Sequence, residues 1–236
     1  KFDAGDYQIF SGAGTVTGLK KSNPIWFGAA VDNATDDAAA WQSALDSIDS
    51  SGGELVWPVG ASYVGSTLIW PNDGTYAYAI RMVGSSPAPF SVSFTGSDRG
   101  VSVIKFGGTG YLFDMRNGDS SNLIWYGSIE NGHLFGADTP DAATGHGTLT
   151  ATQSGLNIYR MNHAALKNLG IKGFGIYGIH SAGYIYYSTI DNVKCYYNGI
   201  GWYGEGAQVN GTTIFRSAFS QNGTNGLFFS MIAGHA

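Results

Sequence analysis

A 24-residue repeat in the last third of this chain constrains its fold more than any other feature of the sequence. Apolar residues recur at this interval in three series: Leu166, Ile190 and Ile214; Ile171, Cys195 and Phe219; Ile176 and Ile200. A fixed internal period of this size is typical of stacked arrays, in which each repeat buries its apolar face against its neighbours. The repeat therefore favours a solenoid over a sandwich, a barrel or a propeller.

The pattern inside one repeat predicts a bend in the chain. Ile190 and Asn192 share one parity, whereas Val193 and Cys195 share the other, and side chains alternate strictly along a β-strand. The change of phase after Asn192 predicts a corner at which the chain passes into another sheet. The residues expected at this corner in successive repeats are Asn131, Asn168, Asn192 and Arg216. Stacked asparagine amides can bond to one another, whereas Arg216 is expected to face solvent.

One segment, residues 35–48, has the period of a helix. Its apolar side chains follow an i, i+3, i+4, i+7 pattern, which makes one stripe: Trp41, Ala44, Leu45 and Ile48. Thr35 or Asp36 can cap the first amides, and two glycines at 52 and 53 follow the last turn. The remaining β-prone runs are short and separated by Gly, Asn, Asp and Ser, so the chain is predicted to be all-β with a single helix.

Composition excludes several classes of protein. The formal net charge of -5 provides no basic surface for nucleic acid or anionic lipid. The single cysteine, Cys195, cannot build an intrachain disulfide framework. No apolar run reaches the roughly 20 residues that span a membrane, and the first residues lack the pattern of a signal peptide. The five histidines show no metal-ligand spacing, so no metal or other cofactor is predicted.

Three segments in fixed order carry a resemblance to a known family. They are IWFGA at 25–29, TDDAAAWQSALDSI at 35–48 and GGELVWPVGASYVGSTLIW at 52–70. This order of loop, helix and Gly-Gly strand resembles the entry motif of the pectate-lyase-like right-handed parallel β-helices found in phage tailspikes and capsule depolymerases. The chain departs from the family pattern at residues 31–33, where Val-Asp-Asn replaces Gly-Asp-Gly, and at Val59, which replaces a proline. Both departures affect turns rather than chemistry.

The resemblance implies a fold, an assembly and a location. The expected fold is an all-β right-handed parallel β-helix over residues 25–236, with a capping α-helix at 35–50, preceded by a strand and linker segment at 1–24. Lys1 and the apolar C-terminus predict that the chain is a fragment, truncated at its C-terminal end. The implied assembly is a homotrimer on the tail of a virion, synthesised in the host cytoplasm and acting at the host cell surface on capsular or lipopolysaccharide glycan.

The repeat register places two acidic residues in one outward column. If Ile129, Leu166 and Ile190 stack, then Glu130, Lys167 and Asp191 point outward, with the two carboxyls about 10 Å apart. Glycoside hydrolysis by inversion needs a carboxyl pair at roughly that separation. The alternative is an exposed charge ladder in which Lys167 relieves the repulsion between two acids, a contribution of little energetic weight.

A second candidate site lies in the sequence WYGEGAQ. Glu205 is preceded there by Trp202 and Tyr203, whose rings could stack on sugar faces, and the alternative is a solvated acid in a turn. The insertion at 133–155 breaks the repeat and predicts a wall or lid that carries Asp138, Asp141 and His146, or alternatively a trimer contact. Two tyrosine clusters are either a sugar-binding strip or packing: Tyr184, Tyr186 and Tyr187; Tyr196 and Tyr197.

Taken together with the family resemblance, these residues predict a phage protein that binds and depolymerises bacterial surface polysaccharide by endo-glycosidic hydrolysis. The predicted catalytic residues are Glu205, Asp191 and Glu130, and the predicted substrate-binding residues are Trp202, Tyr203, Lys167 and His146. Two alternatives use the same scaffold: a polysaccharide lyase, which needs a base and a cation rather than two carboxyls, and a non-catalytic glycan-binding adhesin. In a third alternative, this part of the chain is structural and the active groove lies beyond residue 236.

Overall fold

The computed structural model describes most of the chain. The described residues are 5–12, 14–73, 76–85, 100–115, 123–137, 143–147 and 152–230. The first ten strands are β1 (Lys21–Ser22), β2 (Asp32–Asp36), β3 (Gly53–Val56), β4 (Gly60–Val64), β5 (Leu68–Ile69), β6 (Tyr76–Ala77), β7 (Ile80–Val83), β8 (Ser102–Phe106), β9 (Gly110–Asp114) and β10 (Leu123–Trp125). The last ten are β11 (Ser128–Phe135), β12 (Gln153–Ile158), β13 (Arg160–Asn162), β14 (Ala165–Lys172), β15 (Tyr177–Tyr186), β16 (Thr189–Tyr196), β17 (Ile200–Asn210), β18 (Thr213–Phe215), β19 (Ala218–Ser220) and β20 (Asn225–Ser230).

These strands form two sheets, and the chain alternates between them. The first sheet has 11 strands and includes the series β3-β7-β11-β14-β16-β18. The second has nine and includes the series β9-β12-β15 with β17 and β20 beyond it. Every pairing between named strands in the described part of the chain is parallel. Each strand therefore pairs with a strand from an earlier or later excursion of the chain, so that the contacts between strands join residues distant in sequence.

Two of the three predicted 24-residue series are confirmed by the pairing register. Residues of the first series lie directly opposite one another in β14, β16 and β18, and those of the second in β14, β16 and β19: Leu166, Ile190 and Ile214; Ile171, Cys195 and Phe219. The third series is wrong, because Tyr177 rather than Ile176 lies opposite Ile200. The second sheet steps by one residue less at this point, and Ile176 is 38% exposed.

The predicted corner is confirmed, although it has a different consequence. Asn131, Asn168 and Asn192 have φ values of 61°, 51° and 54°, in the left-handed region that asparagine tolerates better than most residues. The Asn168 amide nitrogen donates to the Asn131 side-chain oxygen at 2.8 Å, and the Asn192 amide donates to Asn168 at 3.0 Å. The strands bend there and remain in the first sheet instead of passing into another. As expected, the Arg216 side chain is 67% exposed.

Replacement of Asn168 with alanine tests this column of amides. We expect Asn168→Ala to lower the free energy of unfolding by about 1–3 kcal/mol. The substitution removes two side-chain hydrogen bonds, and it places alanine, which tolerates positive φ less well than asparagine, at a left-handed position. Asn168→Gly removes the same bonds but relieves the backbone strain, so its loss should be smaller. Urea denaturation of the full-length protein measures both. Equal stability of Asn168→Ala and wild type would contradict the assignment.

The single α-helix among the described residues, α1, spans Ala38–Asp46, inside the predicted segment, and a short 3-10 helix spans Pro24–Phe27. The four residues of the predicted stripe are all buried, and the Trp41 ring meets the Trp57 ring edge-on at 6.4 Å. Asp36 accepts a hydrogen bond from the Ala38 amide, whereas the residue at the N-cap is Asp37, whose side chain makes no capping bond. The backbone at Gly52 has φ 96°, and a Cβ there would lie 2.4 Å from the Ala79 carbonyl oxygen. The helix thus packs on the core beside the first strands, which is consistent with a cap.

The main apolar core lies between the two sheets and beneath the helix, and it runs from Ala38 to Trp202. A second, smaller cluster consists of Ala61, Val101, Val103 and Phe135. Within the described ranges, no helix is long and apolar enough to cross a membrane. Cys195 lies in this core, and burial raises the pKa of its thiol far above the ordinary value, so the thiol stays protonated. The outward faces of the two sheets carry the candidate chemistry.

Candidate functional site

The predicted outward column on the first sheet exists. Lys167 lies directly opposite Glu130 on one side and directly opposite Asp191 on the other. The register derived from the 24-residue repeat is therefore confirmed at this column, including its extension back across the long insertion to β11.

Each acid of this column is held by an arginine. The Glu130 carboxylate accepts bonds from Arg81 Nε at 3.2 Å and Nη2 at 3.1 Å. The Asp191 carboxylate accepts a bond from Arg216 Nε at 2.8 Å and a second from its Nη2. Arg81 also reaches Glu54 at 3.2 Å, and Glu54 lies 3.6 Å from Lys21. These residues form a ladder of alternating charge along the first sheet, hereafter the charge ladder.

The charge ladder keeps Glu130 ionised. Burial raises the pKa of the Glu130 carboxyl, but the bonds from Arg81 and Ser128 and the charges of Arg81 and Lys167 outweigh burial, so the pKa lies below its ordinary value. A general acid in glycoside cleavage needs the opposite shift, towards protonation at neutral pH. The geometry therefore favours the structural alternative that the sequence left open for Glu130 and Asp191.

The lowered pKa of Glu130 has a measurable consequence for stability. Because the pKa is lower in the folded state, the ionised carboxylate stabilises the fold above its ordinary pKa, and this contribution is lost as the pH falls through the folded-state pKa. We expect Glu130→Gln to reduce stability at neutral pH by about 1 kcal/mol or less and to lose less stability on acidification than wild type does. Melting temperatures at neutral pH and near pH 3 measure this difference. If acidification lowered the melting temperatures of both proteins equally, the prediction would be contradicted.

The outward face of the second sheet carries a different arrangement. Five residues lie opposite one another in successive strands: Asp114, Asn157, His180, Tyr203 and Phe228. The His180 and Tyr203 rings stack at 5.6 Å, as do those of Tyr203 and Phe228. The Tyr177 ring stacks on both His180 at 5.1 Å and Tyr203 at 5.0 Å. The imidazole is therefore packed among aromatic rings and is only 7% exposed.

Three polar groups surround this imidazole. The Tyr111 hydroxyl lies 2.8 Å from His180 Nδ1, and the Asn157 side-chain oxygen lies 3.2 Å from the same nitrogen. On the other side, Nε2 lies 3.4 Å from a carboxylate oxygen of Glu205, whose side chain is 62% exposed. We call Tyr111, Asn157, His180, Tyr203 and Glu205 the His180 cluster. Its buried end holds the ring, and its exposed end presents a carboxylate to solvent.

This arrangement is suited to proton transfer. An imidazole whose Nδ1 is engaged by neighbours has a defined orientation, and its Nε2 faces the exposed carboxylate. A carboxylate beside such a ring can act as a general acid or base on a molecule bound at the surface. The Tyr177 hydroxyl adds a second polar group whose pKa is raised by burial first, and then by the charges of Tyr203 and Glu205.

The structure separates the predicted site residues. Glu205 belongs to the His180 cluster, whereas Glu130, Lys167 and Asp191 belong to the charge ladder on the other sheet. Trp202 is not a sugar platform, because it is 1% exposed and its indole nitrogen donates to the Ser181 hydroxyl at 2.9 Å inside the core. The ring faces of Tyr203 are occupied by its neighbours in the stack, which leaves its edge and hydroxyl for a ligand.

The predicted wall at 133–155 is described only in part. Asp138 and Asp141 lie outside the described residues. His146 is exposed, and its Nδ1 lies 3.1 Å from the backbone oxygen of Asn222, so this short segment rests on the turn before β20. Nothing in this position places His146 in the His180 cluster.

Sequence reasoning missed His180, Asn157 and Tyr111. The signal was present as a step of 23 residues from Asn157 to His180 and again from His180 to Tyr203. A search for residues that recur every 24 positions does not detect this 23-residue spacing. Among the described residues, no group of three or more His, Cys, Asp or Glu side chains is placed to share a metal ion.

Comparisons with known proteins find two viral proteins that are similar to this chain. No family model matches the chain. A protein named "Depolymerase 1, capsule KN3-specific" from Klebsiella phage KN3-1 is 27% identical over 184 residues, which cover 75% of this chain but 21% of that protein. The solved structure of ORF18 of Geobacillus virus E2 superposes with a TM-score of 0.50 at 17% identity, over 83% of this chain and 40% of that one. The chain thus shares a fold with a phage protein and spans well under half of either relative.

Proposed function

We propose that this chain is part of a phage tail protein that binds and depolymerises bacterial surface polysaccharide. The observation that carries the proposal is the similarity to a phage protein named as a capsule-specific depolymerase, which extends over three quarters of this chain. The His180 cluster supports it independently, because an exposed carboxylate beside an oriented imidazole is suited to acid and base chemistry on a surface-bound glycan. The substrate would be a capsular or lipopolysaccharide glycan, and the protein would act outside the host cell.

The finer architecture belongs to the same proposal. A right-handed parallel β-helix over residues 25–236, capped by α1 and preceded by a segment at 1–24, accounts for the alternation of the chain between two parallel sheets. It also accounts for the recurrence of apolar residues every 24 positions in the first sheet. Assembly into a homotrimer on the virion tail would cover apolar side chains that are exposed near the end of the described chain, such as Phe215 and Phe228.

For the reaction itself, we propose Glu205 as the acid or base. Endo-glycosidic hydrolysis would require a second carboxyl at about 5–9.5 Å. The other described carboxyl in a strand of the second sheet is Asp114, which lies three strands away, at roughly 14 Å. The partner acid of a hydrolase is therefore not among the described residues of this sheet.

A lyase is the second candidate, and one observation favours it. The Tyr111 hydroxyl and the His180 imidazole lie within hydrogen-bonding distance of each other beside Glu205, and elimination needs one base and a cation rather than a carboxyl pair. Hydrolysis and elimination give different products, because the hydrolytic products contain one additional water per cleavage and the eliminated products carry a double bond that absorbs ultraviolet light.

The deciding experiment is incubation of the full-length protein with purified bacterial capsular polysaccharides, followed by mass analysis of the products. Shortened chains with added water would establish the hydrolase, and unsaturated chains the lyase. Polysaccharide that is bound but never shortened would overturn the enzymatic proposal in favour of a glycan-binding adhesin.

A further inference from the structure

Arg160 occupies an unusual environment on the second sheet. It lies on the outward side of β13, next to the buried Met161, and its guanidinium carbon lies 4.9 Å from the Tyr159 ring centroid and 5.0 Å from that of Tyr184. Its Nε is buried and has no hydrogen-bond partner among the described residues. The planar guanidinium is thus flanked by aromatic rings, which restrict its orientation, while donor capacity remains unused.

A glycine lies against this side chain. Gly183 has φ 91° and lies where the register between β15 and β17 shifts, because β17 carries one extra residue between Glu205 and Gln208. A Cβ at Gly183 would lie 3.3 Å from Arg160 Cγ and 3.2 Å from the Tyr159 carbonyl oxygen. A larger residue would therefore press on the arginine.

A second polar atom on the same side of β13 also lacks a partner. The Asn162 side-chain oxygen is buried and accepts no hydrogen bond within the described part of the chain. Asn162 is two residues from Arg160, so the two side chains project from the same face about 6.6 Å apart. Buried polar atoms are nearly always bonded in folded proteins, so an arginine donor and an amide acceptor left open at one place indicate a site for a polar ligand.

Charge distinguishes Arg160 from the other described arginines. Arg81 and Arg216 are each bonded to a carboxylate, whereas no described acidic residue lies within ion-pair distance of Arg160. By register, Arg160 lies beside Tyr184, and Glu205 lies opposite Ala182, so the arginine and the carboxylate of the His180 cluster are roughly 12 Å apart. One short oligosaccharide could contact both.

We propose that Arg160 binds the carboxylate of an acidic sugar, with Tyr159 and Tyr184 as flanking rings, while the Asn162 side-chain oxygen accepts a hydrogen bond from a hydroxyl of the same sugar. The inference rests on the proposed function, and it adds the substrate class, a polysaccharide whose repeat contains a carboxylated sugar. Arginine presents paired N–H donors that match a carboxylate, and such charge-assisted bonds are stronger than those to neutral sugar hydroxyls. The carboxylate could belong to a uronic acid or to a pyruvate ketal, and the binding chemistry is the same for both.

Binding of small glycosides to the full-length protein tests the proposal. The probes are methyl glucuronoside, the methyl glycoside of pyruvate-ketal galactose and, as the neutral control, methyl glucoside, each titrated by saturation-transfer NMR. We expect at least one carboxylated glycoside to bind about tenfold more tightly than methyl glucoside, a difference equivalent to one charge-assisted bond. The tighter of the two carboxylated probes identifies the source of the carboxylate.

Single substitutions test whether Arg160 is responsible for the preference for carboxylated glycosides. Arg160→Gln should abolish the preference for the carboxylated probe. Arg160→Lys, which keeps the positive charge but not the paired N–H donors, should retain part of the preference. Arg216→Gln removes one positive charge from the other sheet and should keep the preference intact. An unchanged preference in Arg160→Gln, or the absence of any preference in wild type, would overturn the proposal. Because the readout is binding alone, failure to cleave polysaccharide would overturn the proposed function without affecting this result.

Discussion

Replacement of Glu205 with glutamine is expected to lower the rate of polysaccharide cleavage by about 10²–10⁴-fold. Glu205 is the exposed carboxylate of the His180 cluster, and its oxygen lies 3.4 Å from the imidazole. Glutamine keeps the shape but can neither give nor take a proton. Since the side chain is 62% exposed, the substitution should leave the melting temperature unchanged. Reducing-end release, or the absorbance of unsaturated ends, measures the rate on the full-length protein.

Asp191→Asn is the matched control for this prediction. It also removes one carboxylate from an outward face, but on the charge ladder, where Arg216 holds the acid. We expect its cleavage rate to remain at the wild-type level. The opposite pattern, in which Asp191→Asn is inactive and Glu205→Gln is active, would place the active site on the first sheet. It would then support the inverting pair of Glu130 and Asp191 that the repeat suggested.

Replacement of Asn198 with alanine is expected to lower the free energy of unfolding by about 3–6 kcal/mol, because it leaves several buried groups without partners. Asn198 is fully buried. Its side-chain oxygen accepts from the Phe174 amide at 3.1 Å, and its side-chain nitrogen donates to the Ile171 carbonyl at 3.1 Å and to the Asn222 side-chain oxygen at 3.2 Å. Alanine satisfies none of these groups.

Two further variants serve as comparisons for the loss of stability in Asn198→Ala. Asn222→Ala should also be costly, because the Asn222 amide donates to the Cys195 carbonyl at 3.1 Å and its oxygen receives the Asn198 amide. Asn210→Ala, at an exposed position, should change stability by no more than about 0.5 kcal/mol. Urea denaturation of the full-length variants measures all three. A loss at Asn198 no greater than that at Asn210 would show that the buried amides do not stabilise the stack.

The sequence predicts the first sheet well because its signals are local and periodic. Alternation along β16 locates the bend at Asn192, and the apolar spacing between β14 and β16 determines which residues pair. The helix could likewise be read from four apolar positions and a capping aspartate. These properties depend on neighbours within one strand or one turn, so a single sequence contains them.

The second sheet is harder to predict from sequence because its spacing varies. The pairing steps from Tyr177 to Ile200 and from Ile200 to Asn225 differ in length, and one extra residue of β17 between Glu205 and Gln208 shifts the register within one strand pair. A constant period therefore fails there, and with it the alignment that would have brought His180 beside Glu205. The error at Ile176 follows from this irregularity, whereas the burial of Trp202 follows from alternation along β17, which places its side chain on the opposite face from Tyr203.

The sequence by itself determined the class of fold, the position of the helix, the corner of asparagines and the outward column that contains Glu130 and Asp191. Only the tertiary structure decided which of the acids is available for chemistry. The reason is physical: Arg81 reaches Glu130 from 49 residues away, and Glu205 meets His180 across a bulged strand pair. In stacked strands, neighbours in space are distant in sequence, so the charge state and exposure of a side chain depend on contacts that no local pattern records.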